Sequence, residues 1–386
     1  MRTRFLEFSV PLLGQAEIDS VVDCLRSGWL TSGQKVKAFE QDFARYIGCS
    51  HALAVNSCTA ALHLGLEAVG VQPGDEVITS PMTFAATAAV IEHLGARPVL
   101  VDCEAETLNL DATRLAAAIT PRTRAIVPVH FAGQPCDMEA ILAVARAHDL
   151  AVVEDAAHAL PARVKGRLVG TLGDITCFSF YATKTITTGE GGMVTTDRED
   201  YAARMRIMHL HGMSRDAWKR YAQNGSWSYD ILAAGFKYNL TDIAASIGIA
   251  QLARADAFHA RRLEIARAYT AGLSGVRGVR TPVVRDEGGH AWHLYVVQVV
   301  PEALTIDRDE FIRRLVAMNI GVSVHFIPLH VHPYYRDKYG YRPEDFPIAY
   351  AAFQRIVSLP LYPKMSDDDV QDVIGAVRSL AEGHQR

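Results

Sequence analysis

The sequence has no apolar run of about 18 residues or more, so it offers no helix able to span a bilayer. The opening stretch MRTRFLEFSVPLLG has arginines but no continuous apolar segment leading to a small-residue cleavage site, and a cytoplasmic location is expected. Blocks of like charge are also missing. The formal net charge is −4 over 386 residues, with acids and bases interspersed, which leaves no basic patch or helix-turn-helix pattern for nucleic acid. Cysteine is sparse: Cys24, Cys49, Cys58, Cys103, Cys136 and Cys177 show no C-x-x-C and no spacing of a zinc site or disulfide framework. Internal repeats and low-complexity tracts are absent.

What is present is an ordinary globular composition, 49% apolar and 21% charged, in a chain long enough for a large domain with a smaller companion. From about Ser50 to Thr196 apolar runs such as HALAVN, EVITS, RPVLVD, RAIVPVH and LAVVED alternate with helical patterns. Fully apolar strands alternating with helices predict an α/β fold with a mostly parallel sheet covered on both faces. TDIAASIGIAQLARADAFHARRLEIARAYTAGL is expected to be one long helical stretch linking two bodies. A smaller C-terminal α+β domain follows, ending in a helix that starts near Ser366, with Asp369 at capping-box distance and Val370, Val373, Ile374 and Val377 on one face. PYYRDKYGYRPEDFP is expected to be an ordered loop. The expected division is 13–250 for the large domain and 251–386 for the small one, with residues 1–12 packing nearby.

The residues with chemical interest stand at expected strand ends, where a parallel sheet opens to its ligand crevice. In SFYATKTITTGEGGM, Lys184 lies among small hydroxyl residues; it is either a surface loop lysine or a desolvated amine with a lowered pKa and nucleophilic character. LAVVEDAAHAL ends a strand with Glu154 and Asp155 and adds His158 three residues later. A carboxylate there is open to three roles: metal ligand, general base, or partner of a protonated ring nitrogen. NSCTAALHL leads small polar residues into a helix, a plain N-cap or a phosphate site built from free N–H groups. Phe84 in SPMTFAATAA either stacks on a flat ring or fills core. Phosphate site, aromatic face, acid and buried lysine together are what pyridoxal phosphate (PLP) requires, the lysine as Schiff-base holder and the acid keeping the pyridine protonated. The pairs His209/His211 and His330/His332 have metal-like spacing, but no third ligand accompanies either, and no metal is expected.

These motifs, with SGWLTSG, PGDEVITSPMTFAATA, ITPRTRAIVPVHFAGQPCDM, KYNLTDIAASIGIAQL, HAWHLYVV and SVHFIPLHVHPYY, run over nearly the whole chain. Their order strongly resembles the DegT/DnrJ/EryC1/StrS family, sugar aminotransferases of PLP fold type I. The resemblance implies that Lys184 is the Schiff-base lysine, Asp155 pairs with the pyridine nitrogen, and Phe84 lies against the ring. It implies phosphate contacts from Thr59, Ala60 and Ser179, and from Asn239 of a neighbouring subunit, hence a homodimer with shared active sites. His158 stands where many members have glutamine, near the cofactor's phenolic oxygen, and makes that position sensitive to pH. Members that dehydrate carry histidine at the lysine position; Lys184 favours transamination.

The implied reaction takes an amino group from L-glutamate to the ketone of a nucleotide-linked sugar. The FKYNLTDI and EDAAHA variants resemble branches acting at C4 of a 6-deoxyhexose. A UDP-linked 4-keto pentose and a C3 ketone are the near alternatives, and a non-catalytic regulator on the same fold is the reading from another class. Lys237, His325 and Trp29 are candidate substrate contacts, each with a bland reading as a surface or packed residue.

Overall fold

The computed structural model describes residues 2–214, 228–286 and 288–386. The apolar runs of the first half form strands β1 His51–Val55, β2 Glu76–Thr79, β3 Arg97–Leu100, β4 Thr123–Val127 and β5 Ala151–Asp155. A small hairpin follows, β6 Arg163–Val164 and β7 Arg167–Leu168, then β8 Ile175–Ser179 and β9 Gly192–Thr196. Apart from the hairpin these make one sheet in the order β1-β9-β8-β5-β4-β2-β3. Strand β9 runs antiparallel to both of its neighbours, and the other pairings are parallel.

Strand alternation sends neighbouring side chains to opposite faces, and both faces are covered. Val55, Cys177 and Val194 pack against the helix Cys58–Ala68. Ala54, Phe178 and Met193 pack with Phe39 and Phe43 of the helix Gln34–Ile47. The same alternation separates the two acids at the end of β5. Glu154, fully buried, meets His130 Nε2 at 2.9 Å and accepts from the Gly173 N–H at 2.8 Å and Thr176 Oγ1 at 2.7 Å. The Cys136 N–H donates to His130 Nδ1, so the imidazole proton sits on Nε2 and is given to Glu154. Asp155 points the other way, into the crevice.

The second body is an antiparallel sheet of β10 Val279–Arg280, β11 Tyr295–Val299 and β12 Ile356–Leu359, with the helices Arg308–Ala317 and Asp367–Gly383. The last helix has the expected capping box, Ser366 and Asp369 each accepting the other's N–H, and it buries Val370, Val373, Ile374 and Val377. The start of the chain touches this body. Leu6 bridges Ile320, and Arg2 Nη1 meets Asp369 at 2.6 Å and Asp372 at 2.8 Å.

Two expectations are corrected. The long helical stretch is two helices, Asp242–Leu252 and Ala255–Leu273, interrupted at Ala253 and Arg254. No glycine or proline marks the break; the tertiary contacts of Gln251 with Leu12, Glu17 and Thr187 and of Arg254 with Glu17 hold it. Within the second of these helices, Phe258 packs in the large core and Ile265, Tyr269 and Leu273 in the small one. The expected loop at PYYRDKYGYRPEDFP is largely helical. Proline serves as a helix starter in Pro333–Tyr339 and Pro347–Phe353, and Gly340 closes the first of them in the left-handed conformation. Among the described residues no helix is long and apolar enough to cross a membrane.

Glu154→Leu would strand the His130 and Thr176 donors and the Gly173 N–H in the core. A loss of about 3–5 kcal/mol in unfolding free energy is expected from urea denaturation; a loss below about 1 kcal/mol would contradict this account of the strand.

Candidate active site

A cavity of about 490 Å³ opens where the crevice-facing strands end. Its lining brings together Thr59, Phe84, Asp155, His158, Ser179, Lys184 and His325 from the sequence reading. Ala60 is buried one step behind the lining, with its N–H given to Ser57 Oγ at 3.1 Å. Trp29, Lys237 and Asn239 lie outside this cavity. Trp29 Nε1 donates to the Ser32 carbonyl, Lys237 Nζ contacts Asn239 Oδ1, and Asn239 Nδ2 donates to Ser32 Oγ at 2.6 Å.

The helix Cys58–Ala68 starts at the cavity, capped by Ser57. The cap uses the Ala60 N–H and leaves those of Cys58 and Thr59 at the positive end of the helix dipole, where an anion is favoured. Gly192 opens β9 against this turn: a Cβ there would lie 2.7 Å from the Ser57 carbonyl and 2.8 Å from the Cys58 nitrogen. Only glycine lets strand and helix end approach so closely. Ser179, at the end of β8, completes the polar rim, its Oγ accepting from the Tyr181 N–H.

The lysine loop holds its shape through its hydroxyls. The Lys184 N–H donates to Tyr181 O, Thr187 Oγ1 to Phe180 O, and the Gly189 N–H to Thr187 Oγ1, so side chains complete a turn that no helix stabilises. Burial pushes the Lys184 ammonium down from 10.5 to about 8; Asp155 pulls the other way and the nearby Arg262 guanidinium adds to the depression. Burial likewise raises the Asp155 carboxyl above its usual range, against Thr87 Oγ1 at 2.8 Å, the Ala157 N–H at 3.1 Å and the charge of Lys184. An acid so placed favours a cationic partner. His158 Nδ1 is buried without a hydrogen-bond partner, and burial, Lys184 and His325 hold the ring's pKa well below 6.5. Phe84, 65% exposed, stands at the rim, its ring 6.4 Å from that of Phe326. The described residues contain no group of three or more histidine, cysteine, aspartate or glutamate side chains arranged for a metal.

Sequence reasoning missed several groups at or behind this wall. Thr83 and Thr87 form a hydroxyl chain to Asp155, and their four-residue spacing at the start of the helix Ala85–His93 was a readable signal. Phe8, Phe326 and His293 line the cavity, and Arg262 lies buried behind it. Nothing local distinguishes Arg262 from Arg261, which sits at the surface paired with Asp367.

An open helix end with a glycine cradle, a buried acid awaiting a cation and a lysine with a lowered pKa on one cavity fit PLP. Residues 11–378 match the DegT/DnrJ/EryC1/StrS aminotransferase family. The chain is 55% identical over 383 residues to the spore coat polysaccharide biosynthesis protein SpsC of Bacillus subtilis, covering 99% of this chain and 98% of that one. A putative sugar aminotransferase of Streptococcus pneumoniae, solved in its PMP form, is 37% identical with a TM-score of 0.92, over 98% of this chain and 99% of that one. DesI, solved in the presence of its TDP-sugar product, is 33% identical with a TM-score of 0.87, over 99% of this chain and 94% of that one. The chain belongs to the DegT/DnrJ/EryC1/StrS family and is a PLP-dependent sugar aminotransferase.

Gly192→Ala is expected to push the helix start away and weaken PLP binding about tenfold, near 1.4 kcal/mol. Absorbance titration of the apo-protein checks this, and an unchanged dissociation constant would contradict the cradle.

Proposed function

We propose that the protein, as a cytoplasmic homodimer with shared active sites, transfers the amino group of L-glutamate to the C4 ketone of a nucleotide-linked 6-deoxyhexose. The observation that carries this reading is the lowered Lys184 amine in the same cavity as the buried Asp155. Similarity to DesI, solved with its TDP-sugar product, supports the nucleotide-sugar substrate. The FKYNLTDI and EDAAHA segments support position C4.

When bound, PLP supplies an aldehyde for a lysine amine and a protonated pyridine ring that withdraws electrons from the carbon losing its proton. Lys184 Nζ, its pKa lowered by burial to about 8, would hold the group through that aldehyde. The same nitrogen would take the α-proton of glutamate and, in the second half of the reaction, give a proton to the sugar's C4. Asp155 would accept from the protonated ring nitrogen, and Thr87 with the Ala157 N–H fixes the carboxylate for it. The Thr59 hydroxyl, Ser179 and the open N–H groups of Cys58 and Thr59 would hold its phosphate, with Ala60 supporting the turn from behind. Phe84 covers the ring, and the aromatic wall of Phe8, His325 and Phe326 excludes water from the sugar side.

Lys237 and Asn239 serve the partner's site, a role supported by their position outside their own chain's cavity. The exposed Leu25, Leu30, Ile231 and Leu232 supply apolar surface for the second copy.

The test loads the protein with PLP and adds excess L-glutamate. The visible band of lysine-bound PLP should convert to the pyridoxamine phosphate spectrum with release of 2-oxoglutarate, and a nucleotide-linked 4-keto-6-deoxyhexose should restore it. A band that glutamate leaves unchanged would contradict the donor. Lys184→Ala should lose the band and at least about 1,000-fold in turnover; retained steady turnover would overturn its role.

A further inference from the structure

His158 packs against two rings from the second body and the turn that leads to it. Phe326 stacks at 5.7 Å with 18° between planes, and His293 lies at 4.3 Å with a 43° tilt. His158 and His293 both line the cavity, and each keeps Nδ1 buried with no hydrogen-bond partner. A buried lone pair costs less than a buried unpaired N–H, which places the proton of each ring on Nε2.

The turn that delivers His293 is built under constraint. Trp292 has a φ of 51°, in the left-handed region that a bulky residue rarely adopts. Its N–H donates to His290 Nδ1 at 2.8 Å, and Arg262 Nη1 donates to the carbonyls of Trp292, His293 and Leu361. Gly133 lets the two histidine segments meet: a Cβ there would lie 2.9 Å from the His158 carbonyl and 3.2 Å from the His293 nitrogen. Backbone held in a sparse region by this many contacts points to a fixed ring position with a use.

We propose that His293 is a positioning residue that packs on His158, keeps water from its Nδ1, and so holds it as a neutral imidazole offering its Nε2 proton to the cofactor's phenolic oxygen. The inference rests on the reading that His158 lies beside that oxygen. The groups facing His158 are Lys184 from its loop, His325 and His293 from the second body, and Arg262 behind His293; Asp155 and Glu190 are the carboxylates of the cavity lining. Burial first opposes protonation of both rings; the charge of Lys184 adds to this at both, and that of Arg262 at His293. Without the His293 ring, water reaches His158 Nδ1, and the imidazole regains a titration near the ordinary histidine value.

The test is the absorbance of the PLP-loaded protein from about pH 5 to about pH 8, in wild type, His293→Ala, His293→Phe, His158→Ala and the double variant His158→Gln/His293→Ala. Wild type and His293→Phe, whose ring still seals Nδ1, should share one profile. His293→Ala should add a transition near 6.5, the unperturbed histidine value, and the double variant should lack it. A His293→Ala profile identical to wild type, or a new transition that persists in the double variant, overturns the proposal. So does a His293→Phe profile that follows the alanine variant, because sealing would then not be the cause. His158→Ala, which removes the donor that glutamine would keep, should shift the cofactor band; an unmoved band defeats the placement of His158 itself, a failure distinct from that of His293. Should the His293→Ala variant not fold, His293→Asn, smaller than imidazole, carries the same expectation.

Discussion

The structure depends on keeping two opposite charges, Lys184 and Asp155, out of water in one cavity. Burial disfavours both ions, moving the amine down to about 8 and the carboxyl up, while their mutual attraction restrains each shift. This suits an enzyme that needs a reactive amine and a carboxylate ready for a protonated ring. It also carries a stability cost with a definite sign. A lysine whose pKa falls on folding binds fewer protons in the native than in the unfolded state between about 8 and 10.5, so its penalty shrinks as pH rises through that window.

The fold supports the pair by dividing labour across single strands. On β5, adjacent acids face opposite ways, Glu154 satisfied by the internal donors His130, Gly173 and Thr176, and Asp155 given only Thr87 and the Ala157 N–H. One acid stabilises the sheet and the other keeps capacity for a ligand. Between β9 and the helix that follows β1, Gly192 removes a side chain so that free N–H groups can face an anion. The second body adds the wall: Phe326, His325 and His293 close on the lysine, with Arg262 holding the turn beneath them.

Much of this was legible in the sequence because its causes are local. Apolar runs with helical spacers announce a parallel sheet, and Ser366 with Asp369 announces a helix start. The small hydroxyl residues around Lys184 marked its setting, but that they fasten the turn shows only in the structure. What stayed hidden has distant causes. The break at Ala253 and Arg254 depends on Gln251 reaching Leu12, Glu17 and Thr187, and no residue in the helix itself signals it. Arg262 looks like its surface neighbour Arg261 until the carbonyls of Trp292, His293 and Leu361 are brought to it. Without the family resemblance, the choice between Glu154 and Asp155 was open for the same reason: strand alternation says they diverge but not which face holds the crevice.

The most direct test is an NMR titration of the apo-protein with lysine isotope-labelled at Cε. The account predicts a lysine resonance with its midpoint near 8, missing from Lys184→Ala and moved upward in Arg262→Met. If no lysine has its midpoint well below the unperturbed value of about 10.5, the amine is not held in the lowered state, and the buried pair is not the feature on which the site depends.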